Sequence, residues 1–451
     1  MQKFNICTKF AKAMYFRKYS GEYRIFNFPG FGNKTIENNC TKNKLEDPVS
    51  GKCLEPTSGR KASEPVEKRS KLLEKVKDTA EKLLCSKDKK SETTSTPKPQ
   101  CGKIEPTNKP EKVKCLRPVP RPMPVTERPE DCNVQKQEIP KIKLSDGYVM
   151  PMFGLGTWGS KPHKVTMAVM HAIKVGYRMI DCAHVYENEQ AVGKAINDCI
   201  KKCIVKRDEI FITSKLWNTY HRPEMVVEGC CRSLKDLNLS YLNLYLIHWP
   251  MGYKEGKELI PYDACGRILS SRVDYVDTWQ AMEDLVQRGF TRSIGISNFN
   301  MKQIERILKI AKIKPVVNQV ECHPYLNQMR LMAYLKKKKI ALVAYSPLGS
   351  PARPWAKPDE PYVLDDNMIK SIAFAQGRTA AQICIRYQIQ RGNAVIPKSV
   401  TPSRIESNFE VADFELGDEE MKIIDKLDKG FRVVPLSKLS SHPYYPFHDA
   451  Y

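Results

Sequence analysis

The sequence lacks the two patterns that would mark a membrane protein or a cysteine-rich scaffold. It contains no uninterrupted apolar run of about 18 residues, so we expect no transmembrane helix. It has no CxxC pair either, since its 15 cysteines are spread singly apart from Cys230 and Cys231. Neither a zinc site nor a disulfide framework is therefore indicated. The pattern favours a reducing compartment, with the cytosol as the default.

Two ligand-binding signatures are also missing. No GxGxxG follows the first strand-like run, which argues against a doubly wound dinucleotide-binding sheet. The chain carries a net charge of +23, but no aromatic stacking motif accompanies the basic residues, so we expect no nucleic-acid partner. More than half of the positive excess lies in residues 1–136, which hold 30 lysines and arginines against 17 acidic residues.

Residues 1–136 have the composition of a basic extension. From residue 40 onward they are rich in Lys, Glu, Pro, Ser and Thr, which predicts disorder because too little apolar surface is available to offset chain entropy. Four leucines, Val76 and Ala80 at helical spacing predict one helix near 64–87. The first 21 residues carry five basic residues and no acid, interleaved with apolar side chains. This start resembles an organelle transit peptide, so a mitochondrial location is the alternative to a solvated tail.

Residues 137–451 alternate short apolar runs with amphipathic segments. Lys141 to Pro151 is predicted to be a hairpin with Asp146–Gly147 at its turn. Eight strand–helix units then follow within about 300 residues, and they predict a parallel (β/α)8 TIM barrel, with a doubly wound sheet as the alternative. The eight strand-like runs begin at Met152, Arg178, Ile210, Leu244, Ser293, Val316, Ala341 and Ala394.

Each apolar run ends in a polar residue. Active sites of such barrels lie at the carboxyl ends of the strands, so these side chains are expected to face one cavity. The residues are Thr157, Asp181, Lys215, His248, Asn298, Gln319, Ser346 and Lys398.

A tyrosine near one of these strand ends predicts acid–base chemistry. Free tyrosine titrates near pH ~10, and an ammonium group within a few ångströms lowers that pKa by favouring the phenolate. We therefore predict that Tyr186 donates a proton and that Lys215 tunes its acidity, with Asp181 holding the lysine charged. His248 is predicted to orient a substrate oxygen, and no metal is required. A buried structural ion-pair network is the alternative interpretation of such a group.

This region contains eight distinctive motifs, in order along 140–451: GLGTWGS, IDCAHVYENE, ITSKLWN, YLIHWP, IGISNFN, NQVECHPY, AYSPLGS and IPKSVTPSRIESNF. In this order they resemble the motifs of the aldo-keto reductase family, close to the aldose and aldehyde reductase branch. The resemblance implies NADPH-dependent reduction of an aldehyde or ketone to an alcohol. It also places Asp181, Tyr186, Lys215 and His248 on the family's four active-site positions.

By the same resemblance, the nicotinamide end of NADPH lies at the ends of three strands. Tyr345 is expected to stack on the nicotinamide ring, while Ser297, Asn298 and Gln319 bind its carboxamide. An aromatic ring and amide side chains suit these tasks, because a hydride donor must lie flat with one face toward the substrate.

The adenosine end of the cofactor is expected at Lys398 and Arg404, where the family holds the 2′-phosphate. An ammonium and a guanidinium group suit this dianion and favour NADPH over NADH. Asn408 matches a contact to adenine, whereas Ser407 replaces the family's usual Glu. The predicted cofactor-binding residues are Gly156, Thr157, Trp158, Asp181, Ser297, Asn298, Gln319, Tyr345, Ser346, Leu348, Ser350, Lys398, Ser399, Val400, Arg404 and Asn408.

The substrate pocket is expected to be apolar and aromatic, with contributions from residues 251–277 and from the C-terminal tail that begins at Phe431. Such a pocket suits hydrophobic and aromatic carbonyl compounds. The alternative function is a catalytically weak barrel that serves as an NADPH-binding or structural module, targeted by its extension. A monomer is expected, since no long heptad repeat is present. The predicted substrate-binding residues are Trp158, Tyr186, His248 and Trp249.

Overall fold

The computed structural model describes residues 138–449. The predicted extension, the helix near 64–87 and the transit-like segment lie outside the described residues. Within residues 138–449, no helix has both the length and the apolar character to cross a bilayer.

A short hairpin opens the described chain. Strands β1 (Lys141–Lys143) and β2 (Val149–Pro151) pair antiparallel, and Gly147 in the connecting turn adopts a φ of +93°, which favours glycine. Buried Leu144 and Met150 pack against residues at the starts of several barrel strands. The predicted hairpin is therefore confirmed, and it closes the amino-terminal end of the barrel interior.

Eight parallel strands follow, hydrogen-bonded in sequence order from β3 to β10. The first and last strands are joined as well. Gly154 donates its backbone N–H to the Val395 carbonyl at 3.0 Å, and Val395 donates to the Met152 carbonyl at 2.8 Å. The sheet thus closes into the predicted (β/α)8 barrel, and the doubly wound alternative is wrong. The strands are β3 (Leu155–Gly156), β4 (Met179–Asp181), β5 (Phe211–Leu216), β6 (Leu242–Ile247), β7 (Thr291–Ser297), β8 (Val317–Glu321), β9 (Ala341–Tyr345) and β10 (Ala394–Val395).

The helices bury one face each against the strands. In α3, Val226, Cys230, Leu234 and Leu237 are buried as their helical spacing predicts, while Val227 is only partly buried. The helices are α1 (Pro162–Val175), α2 (Glu189–Lys201), α3 (Pro223–Leu237), α4 (Tyr275–Gln287), α5 (Met301–Ile310), α6 (Met329–Lys338), α7 (Asn367–Ala375), α8 (Ala380–Gln390), α9 (Pro402–Phe409) and α10 (Asp418–Asp425).

Candidate active site

A fully buried lysine lies at the centre of the barrel's carboxyl-terminal end. Lys215, on β5, is 0% exposed, and its Nζ atom donates to Asp181 Oδ1 at 2.5 Å and to the Cys182 carbonyl at 2.8 Å. The third contact of this amine is Tyr186 Oη, at 3.3 Å. The structure therefore brings together three of the side chains that the sequence predicts to act together.

The charge of this lysine is maintained by its neighbours. Burial alone lowers the pKa of Lys215, but the Asp181 carboxylate and the Tyr186 hydroxyl more than compensate and raise it above its usual value. Asp181 is itself held in place, because Gln319 Nε2 donates to Asp181 Oδ2 at 2.8 Å and Thr157 Oγ1 donates to the Asp181 carbonyl at 2.8 Å. The ammonium group consequently remains positive at neutral pH.

Tyr186 ends a short 3-10 turn, His184–Tyr186, and the left-handed φ of 53° at Glu187 turns the chain toward α2. Burial raises the pKa of Tyr186 to about 12, although the adjacent Lys215 ammonium acts in the opposite direction. The predicted net lowering of this pKa is therefore wrong, since loss of hydration outweighs the ammonium. The hydroxyl stays protonated near pH 7, and Lys215 reduces the cost of forming the phenolate.

His248 follows β6 and lies against the tyrosine. The two rings have centroids 5.9 Å apart and planes inclined by 77°. Burial lowers the pKa of His248 well below its usual value, and nearby Lys215 and His221 act in the same direction. The imidazole is therefore neutral at pH 7 and can donate one hydrogen bond.

The residues predicted for the nicotinamide form one hydrogen-bonded group. Asn298 Nδ2 donates to the His248 carbonyl at 3.0 Å, Tyr345 Oη donates to Asn298 Oδ1 at 2.8 Å, and Ser297 Oγ donates to the Gln319 carbonyl at 2.8 Å. Asn298 also adopts a left-handed φ of 66°. Such conformations in residues other than glycine concentrate at functional sites. Ser346 and Ser350, on the loop after β9, show the same feature, with φ values of 49° and 44°.

The residues predicted for the adenosine end lie at the seam of the barrel and on α9. Lys398 and Arg404 are exposed, whereas Asn408 is buried. Burial and the nearby positive charge of Lys164 lower the pKa of Lys398. Tyr177 Oη donates to the Ile405 carbonyl at 2.7 Å and so fixes α9 to the barrel. Lys398, with Lys164 nearby, precedes α9, and Arg404 lies in the first turn of that helix. Positive charge beside a helix amino terminus suits a phosphate dianion.

The remaining predicted cofactor residues occupy the same end of the barrel. Gly156 is the last residue of β3 and Thr157 follows it, and both are buried. A Cβ atom added at Gly156 would lie 2.9 Å from the Ile396 carbonyl oxygen, so glycine is required for the two strands to approach. Leu348 is partly buried on the loop after β9. Ser399 and Val400 precede α9 and are partly buried, and Ser407 is likewise only partly buried on α9.

Each predicted substrate-binding tryptophan lies against another aromatic side chain. Trp249 is buried and its ring lies 6.0 Å from the Phe447 ring of the C-terminal tail. Trp158 is 38% exposed and lies 5.7 Å from the ring of Trp355. Sequence reasoning missed Trp355, and it also missed Trp217, whose ring lies 5.3 Å from His248. Only its position in the ITSKLWN motif could have drawn attention to Trp217.

A second buried carboxyl group lies behind the Tyr186 turn. Glu189 accepts hydrogen bonds from Ser214 Oγ at 2.5 Å and Ser233 Oγ at 2.9 Å. Ligand atoms of His184, Glu189 and Asp236 lie within 4.8 Å of one another. We assign no metal to this group, because both Glu189 oxygens already accept from serines and a positive arginine acts on His184.

Glu189→Gln is expected to change how stability depends on pH. Burial raises the pKa of Glu189 from 4.5 to about 7. The carboxyl group ionises more readily in the unfolded state than in the folded state. The wild type therefore loses stability as the pH rises from about 4.5 to about 7. Relative to the variant, the loss should be about 3 kcal/mol. Urea unfolding at pH 5 and pH 8 measures it. Identical pH dependence in the two proteins would contradict the assignment.

Comparison with known proteins decides the family. The family model described as "Aldo/keto reductase family" matches residues 151–429. The chain belongs to the aldo/keto reductase family. The reductase is 51% identical to Aldo-keto reductase family 1 member A1-A of Danio rerio over 320 residues, which is 69% of this chain and 99% of the relative. It is 45% identical to the Homo sapiens member A1, covering 69% of this chain and 98% of that relative.

A solved structure is similar as well. The aldose reductase from Schistosoma japonicum matches the reductase with a TM-score of 0.66 and 42% sequence identity, covering 69% of this chain and all of that chain. These matches establish the reductase as an oxidoreductase that acts on carbonyl compounds. The predicted resemblance is thereby confirmed.

Proposed function

We propose that this chain reduces aldehydes and ketones to alcohols with NADPH, and that Tyr186 supplies the proton. When bound, the nicotinamide would supply the hydride that the carbonyl carbon gains. The observation that carries the proposal is the position of the Lys215 amine, fully buried and in contact with both Asp181 and Tyr186.

The reacting oxygen becomes negative as the carbon gains the hydride, and the chain supplies groups for that charge. The Tyr186 hydroxyl transfers its proton to this oxygen, which completes the alcohol and leaves a phenolate. The fixed Lys215 ammonium stabilises the phenolate, and neutral His248 donates a hydrogen bond that orients the substrate oxygen. These groups are pre-positioned and largely shielded from water, so each electrostatic contact is stronger than in solution.

The chemistry of the residues present suits the cofactor. Asn298, Gln319 and Ser297 carry amide and hydroxyl groups of the kind that bind a carboxamide, and the Tyr345 hydroxyl is hydrogen-bonded to Asn298 beside them. Within residues 138–449 no acidic side chain pairs with Lys398, so its ammonium group and the Arg404 guanidinium offer a site for the 2′-phosphate. This arrangement supports NADPH rather than NADH.

The direct test is consumption of NADPH by the full-length chain. We expect the absorbance of NADPH at about 340 nm to fall in the presence of aromatic and aliphatic aldehydes, and turnover of about 1–10³ s⁻¹ for the better substrates. Alcohol formation should match NADPH loss one to one. A folded chain that binds NADPH but reduces no member of an aldehyde and ketone panel would overturn the proposal.

Arg404→Leu is expected to weaken NADPH binding while leaving NADH binding nearly unchanged. The guanidinium group would lose its charge-assisted contacts to the 2′-phosphate, which NADH does not have, so the KM for NADPH should rise about 10–100-fold. Steady-state kinetics with both cofactors measure the change. Arg378→Leu is the matched control, because Arg378 pairs with Asp413 on the surface. Equal losses for both cofactors would contradict the assignment.

We propose that the whole chain is a cytosolic monomer. Its barrel domain is proposed to span residues 137–451. The support is the absence of long heptads and of disulfide patterns in the sequence. Sedimentation of the full chain tests the oligomeric state. Imaging of the full chain against one lacking residues 1–136 tests whether the extension directs it to mitochondria.

A further inference from the structure

A buried carboxylate at the end of β8 holds the C-terminal tail. Glu321 is 0% exposed. Its Oε1 atom accepts the Val433 backbone N–H at 2.7 Å, and its Oε2 atom accepts the Val434 N–H at 2.8 Å. His323 Nε2 lies 3.0 Å from the same Oε1 atom. The two carboxylate oxygens thus bind two consecutive peptide groups of a segment that is distant in sequence.

The same peptide segment is held from its other side. Trp355, on the loop after β9, donates its indole N–H to the Val433 carbonyl at 2.7 Å. The Trp355 ring packs against Trp158 of the predicted substrate pocket, with centroids 5.7 Å apart. Val433 is therefore fixed between the barrel and a loop that reaches the pocket.

A continuous set of contacts leads from this point to the catalytic histidine. Tyr445 Oη donates to the Pro435 carbonyl at 2.6 Å, which ties the end of the tail back to its beginning. The Tyr445 ring lies 5.4 Å from the Phe447 ring, and Phe447 lies 6.0 Å from Trp249. Trp249 directly follows His248 in the chain. The position of Phe447 in the pocket thus depends on how the tail is held at Val433.

We propose that Glu321 is a positioning residue that determines which carbonyl compounds the site accepts, by fixing the tail that places Phe447 against Trp249. The proposal rests on the reductase function proposed above. A carboxylate is needed because both of its oxygens accept an N–H group, whereas a glutamine offers one acceptor and turns a donor toward the second N–H. Large aromatic aldehydes depend on Phe447, and small aliphatic aldehydes do not reach it.

Glu321→Gln, in the full-length chain, is the test. We expect the KM for 4-nitrobenzaldehyde to rise about tenfold, the effect of losing one hydrogen bond to a charged group. The kcat for propanal and the dissociation constant for NADPH should change less than about twofold. The backbone amides of the peptide that contains Val433 and Val434 should exchange hydrogen faster than in the wild type. The amides of peptides that contain β5 should keep their protection.

Two further variants separate this role from a general loss of structure. Trp355→Phe removes the donor to the Val433 carbonyl from a side chain that is 46% exposed, so it should fold and shift the same KM in the same direction. Tyr334→Phe removes a hydrogen bond to Glu305 on the outer helices and should change neither KM.

The outcomes distinguish the two proposals. A KM that rises equally for both aldehydes, or unchanged exchange at Val433 and Val434 with normal turnover, overturns the role of Glu321 alone. If the wild type reduces neither aldehyde, the reductase function is wrong, and the substrate role of Glu321 is overturned with it.

Discussion

Tyr186→Phe should lower kcat/KM for aldehyde reduction by about 10²–10⁴-fold, the range measured for loss of a general acid. The variant keeps the ring that lies against His248 and removes only the hydroxyl that contacts Lys215 Nζ at 3.3 Å. Because the pKa of Tyr186 is raised to about 12, the wild-type hydroxyl is protonated throughout the neutral range, and the loss should be similar at pH 6 and pH 8. Single-turnover reduction at saturating NADPH measures the chemical step.

The dissociation constant for NADPH is the control for this variant. It should change little, since the hydroxyl is proposed to act on the substrate oxygen. Tyr334→Phe provides a matched Tyr-to-Phe change, because its hydroxyl donates to Glu305 on the outer helices, away from the catalytic group. If Tyr186→Phe retains more than about a tenth of the wild-type rate, another group supplies the proton.

Lys215→Met should cost both activity and stability. The variant leaves the Asp181 carboxylate, 4% exposed in its side chain, without the cation that lies 2.5 Å away. Breaking a buried pair in this way destabilises a protein by about 3–5 kcal/mol. Loss of the positive charge beside the developing phenolate should also lower kcat by about 10²–10³-fold. Urea unfolding and NADPH consumption measure the two effects separately.

A double variant shows whether the unpaired charge causes the loss of stability. Asp181→Asn combined with Lys215→Met removes both charges, so it should recover much of the lost stability while remaining inactive. Gln319 still donates to residue 181 in either form. A double variant no more stable than Lys215→Met would point to lost packing instead of an uncompensated carboxylate.

The barrel could be predicted from the sequence because each strand is a short apolar run that ends in a polar residue. Asp181 and Lys215 lie on adjacent parallel strands, so the pattern alone predicts that they meet. Tyr186 lies on a short turn with no periodicity, and only its motif drew attention to it. The net direction of its pKa shift could not be predicted, because burial and the ammonium act in opposition and their balance depends on three-dimensional packing.

Contacts between distant segments escaped prediction for a related reason. Glu321 binds Val433 and Val434 through their backbone N–H groups, which carry no sequence signal. Trp355 lies in a loop where neither helical nor strand spacing applies, and its partner is a backbone carbonyl. His323 lies next to this carboxylate, and its role could not be predicted from the sequence. In the structure it is buried in contact with Glu321, with its Nε2 atom 3.0 Å from Oε1.

The seam that closes the barrel has a consequence for biosynthesis. Phe153 pairs with Val395, so the first segment of the barrel cannot complete its pairing until a strand roughly 240 residues later has been synthesised. While the nascent polypeptide is still attached to the ribosome, the edge of β3 remains open and its apolar neighbours are uncovered. Such an intermediate is a target for chaperones that bind exposed strands. Mutations that weaken β10 should therefore reduce yield in the cell more than they reduce the stability of the purified enzyme.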